Sequence, residues 1–322
     1  MASMVDNKLA VAPTRSGGLV GGASAWLLPC LILALALAPP LMSNYALDIG
    51  FRLLLLITLA EAWNLLAGYG GLVSLGTASF VGVGAYTLTG LVNQWGLPFA
   101  LAIPVAGLSA VLLAVIVSPA VFRLRGLYFT VGTLALAEAL RMFMVNNSVF
   151  GGATGLFLAI DPPGVKGLYW FALGLFAVTT LAMTVATRSR FSILLRTVRD
   201  DEDAAAQIGV RPFRIKLIAF ALASFLMGMA GALQGMKLGA VEPYGMFGIQ
   251  WTVAVLSIVI IGGQGLRVGP IVGAIFVVAM AELLADYPAL NLALTGLILI
   301  LVIRFAPKGL VGLALRKTRG AK

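Results

Sequence analysis

Arg188-Ser-Arg-Phe-Ser-Ile-Leu-Leu-Arg-Thr-Val-Arg-Asp-Asp-Glu-Asp-Ala-Ala-Ala-Gln-Ile-Gly-Val-Arg-Pro-Phe-Arg-Ile-Lys216 is a polar island in an otherwise apolar chain. It sets Arg188, Arg190, Arg196, Arg199, Arg211, Arg214 and Lys216 against Asp200, Asp201, Glu202 and Asp203. Hydrocarbon cannot solvate such a run of charge, so the island must face water or a partner protein. The rest of the chain belongs in lipid. Its 322 residues are 61% hydrophobic and 11% charged, and its mean hydropathy is +1.04. Those values lie far from soluble proteins. The expected fold class is all-α, a polytopic membrane protein.

Windows of apolar sequence mark about ten spanning helices. They cover residues 19–41, 46–67, 71–92, 98–122, 127–145, 167–187, 215–238, 247–262, 269–285 and 289–305. An even number puts both ends on one side. If that side also holds the island, all Lys and Arg except Arg52, Arg141, Lys166 and Lys237 fall there. Such asymmetry marks the cytoplasmic face and gives an N-in, C-in topology. The expected organisation is a cytoplasmic tail (1–18), a transmembrane domain (19–305) with a cytoplasmic loop (188–214), and a basic cytoplasmic tail (306–322). The apolar run 25–38 also has features of a signal peptide, but Pro39-Pro40 after the would-be cleavage site disfavours it. It is read as a retained helix.

The net charge of +10 follows from the positive-inside bias and needs no nucleic acid. Cys30 stands alone and there is no His, so the chain has no disulfide and no expected metal site. It lacks the GxxxxGK[ST] phosphate loop, so any ATP binds another chain. No catalytic residue and no cofactor is expected.

Gly and Ser interrupt the apolar pattern twice, in 68–84 and in 262–273. Paired interruptions in the two halves of a transporter point to a translocation site built from broken helices. The competing use of small residues is close helix packing. The pathway candidates are Asn64, Gly71, Ser74, Gly76, Thr77, Ser79, Tyr86, Thr133, Glu138, Gly262, Gly263 and Gly265. Glu61, Glu138, Arg141 and Glu282 are the ionisable groups within or near the end of spans. Glu138 and Arg141, three residues apart, share a helix face, where they either serve the pathway or neutralise each other in packing. The 146–166 loop, rich in Gly, Pro and Asn, is either an ordered docking element or a plain connector.

Several of these segments together resemble one family. Gly68-Tyr-Gly-Gly-Leu-Val-Ser-Leu-Gly-Thr-Ala-Ser-Phe-Val-Gly-Val-Gly-Ala-Tyr86 is similar to a signature of branched-chain amino acid ABC permeases of the LivM type. The stretch from Leu124 to Arg141, Gly151-Gly-Ala-Thr-Gly155, Gly262-Gly-Gln-Gly-Leu-Arg-Val-Gly-Pro-Ile-Val-Gly-Ala274 and Arg304-Phe-Ala-Pro-Lys-Gly-Leu-Val-Gly312 match further motifs. The resemblance implies a membrane subunit in an inverted-repeat arrangement. It works with a homologous second permease chain, two ATPase subunits and an external (periplasmic) solute-binding protein in the bacterial inner membrane. It also implies a coupling helix. Asp203-Ala204-Ala205, three residues and then Gly209 fit the family's "EAA" spacing, with Asp in place of Glu. Arg199, Asp200, Glu202, Asp203, Ala204, Ala205 and Gly209 are the expected coupling residues. The local chemistry agrees: alanines favour helix, acids favour its N-terminus, and Gly209 and Pro212 favour its end. Thr77 replaces a His common in the family, which leaves the solute open. The alternatives are a urea or short-amide ABC permease and an ion-coupled secondary transporter.

Overall fold

The computed structural model describes residues 35–37, 39–40, 42–306 and 309–313. Residues 1–41 and 42–322 form separate compact units. In the first, residues 35–37 make one helical turn, and most of the expected 19–41 span, like the 1–18 tail, lies outside the described residues. The second unit carries the fold.

Its helices are α1 (Asn44–Asn64), α2 (Thr77–Trp95), α3 (Phe99–Val121), α4 (Leu127–Val145), α5 (Val165–Arg188), α6 (Arg190–Asp200), α7 (Glu202–Gln207), α8 (Pro212–Leu238), α9 (Pro243–Met246), α10 (Gln250–Gly262), α11 (Gly269–Leu283) and α12 (Pro288–Phe305). The protein is all-α and polytopic. The described strands are β1 (Leu156–Phe157) and β2 (Ala240–Val241), paired antiparallel. Local signals set the helix ends. Ser43 caps α1 by accepting from the Ala46 amide. Prolines open α8, α9, α11 and α12, where a missing N–H costs nothing.

The 146–166 loop is structured. It folds into short 3₁₀ turns at Ser148–Phe150 and Gly152–Thr154, followed by β1.

α8 lies at the centre against α2 and α3. The α2–α8 crossing needs small residues. A Cβ at Gly84 would land on the Gly228 carbonyl, and one at Gly231 on the Val81 carbonyl. Close backbone approach of this kind replaces the hydrophobic drive that lipid removes. Phe80 and Phe220 meet edge-on at 5.3 Å nearby.

Contacts sort the connections onto two faces. On one, Arg125 pairs with Asp203 at 3.2 Å, Arg199 reaches Gly68 and Arg267 reaches Thr187. On the other, Asp48 pairs with Lys237 at 2.6 Å, Tyr45 bonds Glu282, Asn93 bonds the backbone of Phe157 and Ala159, and β1 meets β2. Each long helix therefore runs from one face to the other.

Seven helical segments among the described residues are long and apolar enough to cross a membrane; the expected 19–41 span lies mostly outside them, and the count of ten is not confirmed. The 71–92 span begins with six non-helical residues, Gly71 to Gly76, and only then forms α2. α11 has 15 residues, about 23 Å at 1.5 Å per residue, short of a core of about 30 Å. The 247–262 span forms α10 from Gln250 onward, and α9 lies just before it.

Candidate translocation site and charged loop

The first interruption starts before its glycines. α1 widens into a π-helical turn at Leu65–Tyr69, where the Gly70 amide bonds the Leu65 carbonyl. Gly71 then takes φ +68°, a conformation that favours glycine. The chain runs non-helically to Gly76 before α2 begins. Backbone at this depth is tolerable only if protein or water satisfies it, and here side chains do so. Arg199 Nη1 donates to the Gly68 carbonyl at 3.1 Å. Thr130 Oγ1 donates to the Val73 carbonyl at 2.8 Å. Trp63 Nε1 donates to the Ser74 carbonyl at 2.7 Å. Thr133 Oγ1 accepts from the Leu75 amide at 2.9 Å, and Thr252 Oγ1 donates to the Leu75 carbonyl at 3.0 Å. Ser74 turns its own hydroxyl back to the Gly76 amide at 3.2 Å.

The second interruption is residues 263–268, between α10 and α11. It packs directly on the first. Asn64 donates through Nδ2 to the Leu266 carbonyl at 3.0 Å and accepts at Oδ1 from the Gly265 amide at 2.8 Å. Gln264 Nε2 donates to the Ala67 carbonyl at 3.0 Å. A Cβ on Gly68 would lie 2.6 Å from the Gly265 nitrogen. Gly262 faces the Gly269 carbonyl, which lets α10 and α11 cross closely. Arg267 leaves this loop for α5. It donates to Thr187 Oγ1 at 2.9 Å, to the Thr180 carbonyl at 3.1 Å and to Thr184 Oγ1. Burial pulls the Arg267 pKa below the usual arginine value, and the charge of the buried Glu61 acts against that fall.

A cavity of about 520 Å³ opens where the interruptions meet the charged island. Gly68, Gly71, Arg196, Arg199, Gln264 and Gly265 line it. Arg196 also sits over the Tyr69 ring at 5.0 Å. The cavity therefore has one wall from each interruption and one from α6.

Of the expected pathway residues, Asn64, Gly71, Ser74, Gly76, Gly262, Gly263 and Gly265 gather at this junction. Gly76 rests on Thr133, and Gly263 is covered by Gly309. Thr77 and Ser79 open α2, buried, with hydroxyls that have no hydrogen-bond partner among the described residues. Tyr86 lies elsewhere, in an apolar cluster with Met144, Met246 and Phe247. Glu138 is also elsewhere, on the open side of α4 and paired with Arg141. Sequence reasoning missed Trp63, Thr130, Thr252 and Gln264. A hydrogen-bonding side chain beside a predicted break was the available signal, and it applied to Trp63 and Gln264.

The charged loop is two helices, not one. Arg199 and Asp200 end α6, where they pair at 2.7 Å. Asp201 is the N-cap of α7 and accepts from the Asp203 and Ala204 amides at 3.0 and 2.9 Å. Asp200 thus closes one helix and does not open the next. Gly209, at φ +87°, closes α7. The Val210 amide bonds the Ala205 carbonyl and the Gly209 amide bonds the Ala206 carbonyl, the paired bonding of a Schellman end. Glu202 pairs with the buried Lys216 of α8 and Asp203 with Arg125. Ala205 is buried, whereas Ala204, Ala206 and Ile208 are exposed.

Fold and site together define a multi-pass membrane protein whose two broken segments form one junction, with a two-helix loop hydrogen-bonded to it. Residues 45–303 match the family described as branched-chain amino acid transport system / permease component, and the chain belongs to that family. It is 30% identical over 312 residues to the high-affinity branched-chain amino acid transport system permease protein LivM of Escherichia coli K12, covering 87% of this chain and 73% of that one. The protein of the same name from Salmonella typhimurium LT2 matches with the same identity and coverage. The probable branched-chain amino acid transport permease protein LivM of Methanocaldococcus jannaschii is 22% identical, over 77% of this chain and 88% of that one. No solved structure matches significantly.

Proposed function

We propose that the chain is the membrane subunit of an ABC importer that carries branched-chain or other hydrophobic amino acids across the bacterial inner membrane. ATP is hydrolysed on two partner ATPase subunits. A homologous second permease chain and an external solute-binding protein complete the complex. The N- and C-terminal tails and the 188–214 loop face the cytoplasm.

One observation carries the reading. The helix pair of the charged loop is bonded into the broken segment, with Arg199 on the Gly68 carbonyl at 3.1 Å and its aliphatic stem over Gly71. A push on α6 or α7 by a cytoplasmic partner therefore acts on backbone that lines the cavity. The exposed surface of α7, with Ala204, Ala206 and Ile208, is small and apolar enough to lie in a partner's groove. Arg199, Asp200, Glu202, Asp203, Ala204, Ala205 and Gly209 build and hold this coupling element. Asn64, Gly71, Ser74, Gly76, Thr77, Ser79, Gly262, Gly263 and Gly265 shape the passage, and Glu138 belongs to a separate part of it. Tyr86 supports the passage through packing.

Purification in mild detergent, then reconstitution with the co-purifying chains and the binding protein, tests this. Leucine uptake should require ATP inside the vesicle on the ATPase side. Uptake by the purified chain alone, or uptake driven by an ion gradient without ATP, would overturn the proposal. Uptake of urea or a short amide in place of leucine would move the solute while leaving the class.

A further inference from the structure

α4 is the least covered of the crossings that lie wholly before the charged loop. Only 22% of its apolar window is buried, against 78% for the α1 segment. Val131, Ala135, Glu138 and Met142 lie along its exposed side. Glu138 is 11 residues into the helix by position, about 17 Å along its axis, near the middle of a core of about 30 Å. Its side chain is 54% exposed and that of Arg141 16% exposed. Lipid is a poor neighbour for a half-exposed carboxylate at that depth, so this face of α4 looks into a polar passage.

The pair is built to leave bonding capacity free. Arg141 Nε donates to Glu138 Oε2 at 2.9 Å, and Nη2 bonds Oε1. The guanidinium is held over the Tyr244 ring at 4.8 Å. A guanidinium has five donor hydrogens and a carboxylate about four acceptor sites, so both groups can bind more. A base and an acid side by side offer a carboxylate partner and an ammonium partner at once. One helical turn further along, about 5 Å away, an open cavity of about 460 Å³ begins, with Ala139, Met142 and Phe143 on one side and Asn146, Asn147 and Ser148 on the other. The sequence of charge pair, then a cavity with an apolar wall of Ala139, Met142 and Phe143, matches the head and side chain of a hydrophobic α-amino acid.

We infer that Glu138 and Arg141 form a recognition site for the zwitterionic head of the solute on the passage side of α4, with Ala139, Met142 and Phe143 receiving its apolar side chain. Arg141 takes the solute carboxylate and Glu138 its ammonium. The inference rests on the amino-acid permease reading above.

The test uses the complete reconstituted importer with Glu138→Gln, Arg141→Gln and the double variant, each checked for membrane insertion and ATPase activity. Either single change leaves a lone charge and should impair uptake whatever the pair does. The double variant decides. If the pair only neutralises itself, the double variant leaves no unpaired charge and restores uptake. If the pair binds the solute, uptake stays about tenfold or more below wild type while basal ATPase persists. A second readout needs no charge change. Met142→Cys, in a Cys30→Ser background, should be protected from a maleimide by leucine. Neither the decarboxylated amine nor the des-amino acid of leucine should protect it. Restored uptake in the double variant, or equal protection by all three compounds, overturns the site. Wild-type uptake of an amide but not leucine overturns the amino-acid reading itself.

Discussion

Asn64 shows how much one side chain can do in a membrane. Its amide spends a donor on the Leu266 carbonyl and an acceptor on the Gly265 amide, and so ties the two broken segments together. Asn64→Leu keeps the size but strands both backbone groups where water is scarce. The expected cost is about 2–4 kcal/mol, from two unsatisfied groups, read as a shifted midpoint in a reversible SDS unfolding titration. A midpoint equal to wild type would show that the two segments do not depend on this bridge. The sequence named Asn64 as a polar group near a break, but could not say that the second break was its partner, some 200 residues away. The same limit hid the surroundings of Tyr86. A tyrosine next to a glycine-rich stretch reads as pathway until its neighbours, Phe150 and Phe247, are known to be rings at 6.5 and 5.9 Å.

At the scale of elements, the island was legible as helix, capping acid and closing glycine. The division into α6 and α7 was not, because Asp200 and Asp201 are adjacent acids and only the backbone shows which one caps. Arg199 at the end of α6 is the contact that joins this loop to the broken segment. Arg199→Ala should leave insertion intact yet free the Gly68 carbonyl and uncover Gly71. Hydrogen exchange should then quicken both in residues 70–76 and in α6, since weakly held segments open together. Faster exchange confined to α6 would mean that the loop and the broken segment move independently. Gly209→Ala forces a Cβ into a left-handed turn and should cost α7 about 1 kcal/mol, visible as faster exchange at the Val210 amide. α2 and α11 were both legible as apolar segments, yet neither is a long lipid-facing helix: α2 is covered by α8 and α3 and can carry Gly, Ser and Thr, and α11 has 15 residues.

At the scale of the molecule, orientation is a question of charge, and the contacts add to it. The basic connections that hydropathy assigned to one side are joined to each other in space: Arg125 to Asp203, Arg199 to the first break, Arg267 to the end of α5. They form a single face, so they must lie on the same side of the bilayer together. The opposite face carries the ordered turns of residues 148–157, β2 and the Asp48–Lys237 pair. Reversing the protein would move the whole basic face outward, against the positive-inside bias. Ile208 and Val149 are each 73% exposed, one on each face. In a Cys30→Ser background, Ile208→Cys should react with a membrane-impermeant maleimide only in inside-out vesicles. Val149→Cys should react only in right-side-out vesicles. Labelling of both from the same side would break the two-face arrangement, and the opposite pattern would reverse the orientation while keeping the fold. Because Ile208 caps the end of α7, the first result would also place the surface proposed for an ATPase on the side where ATP is made.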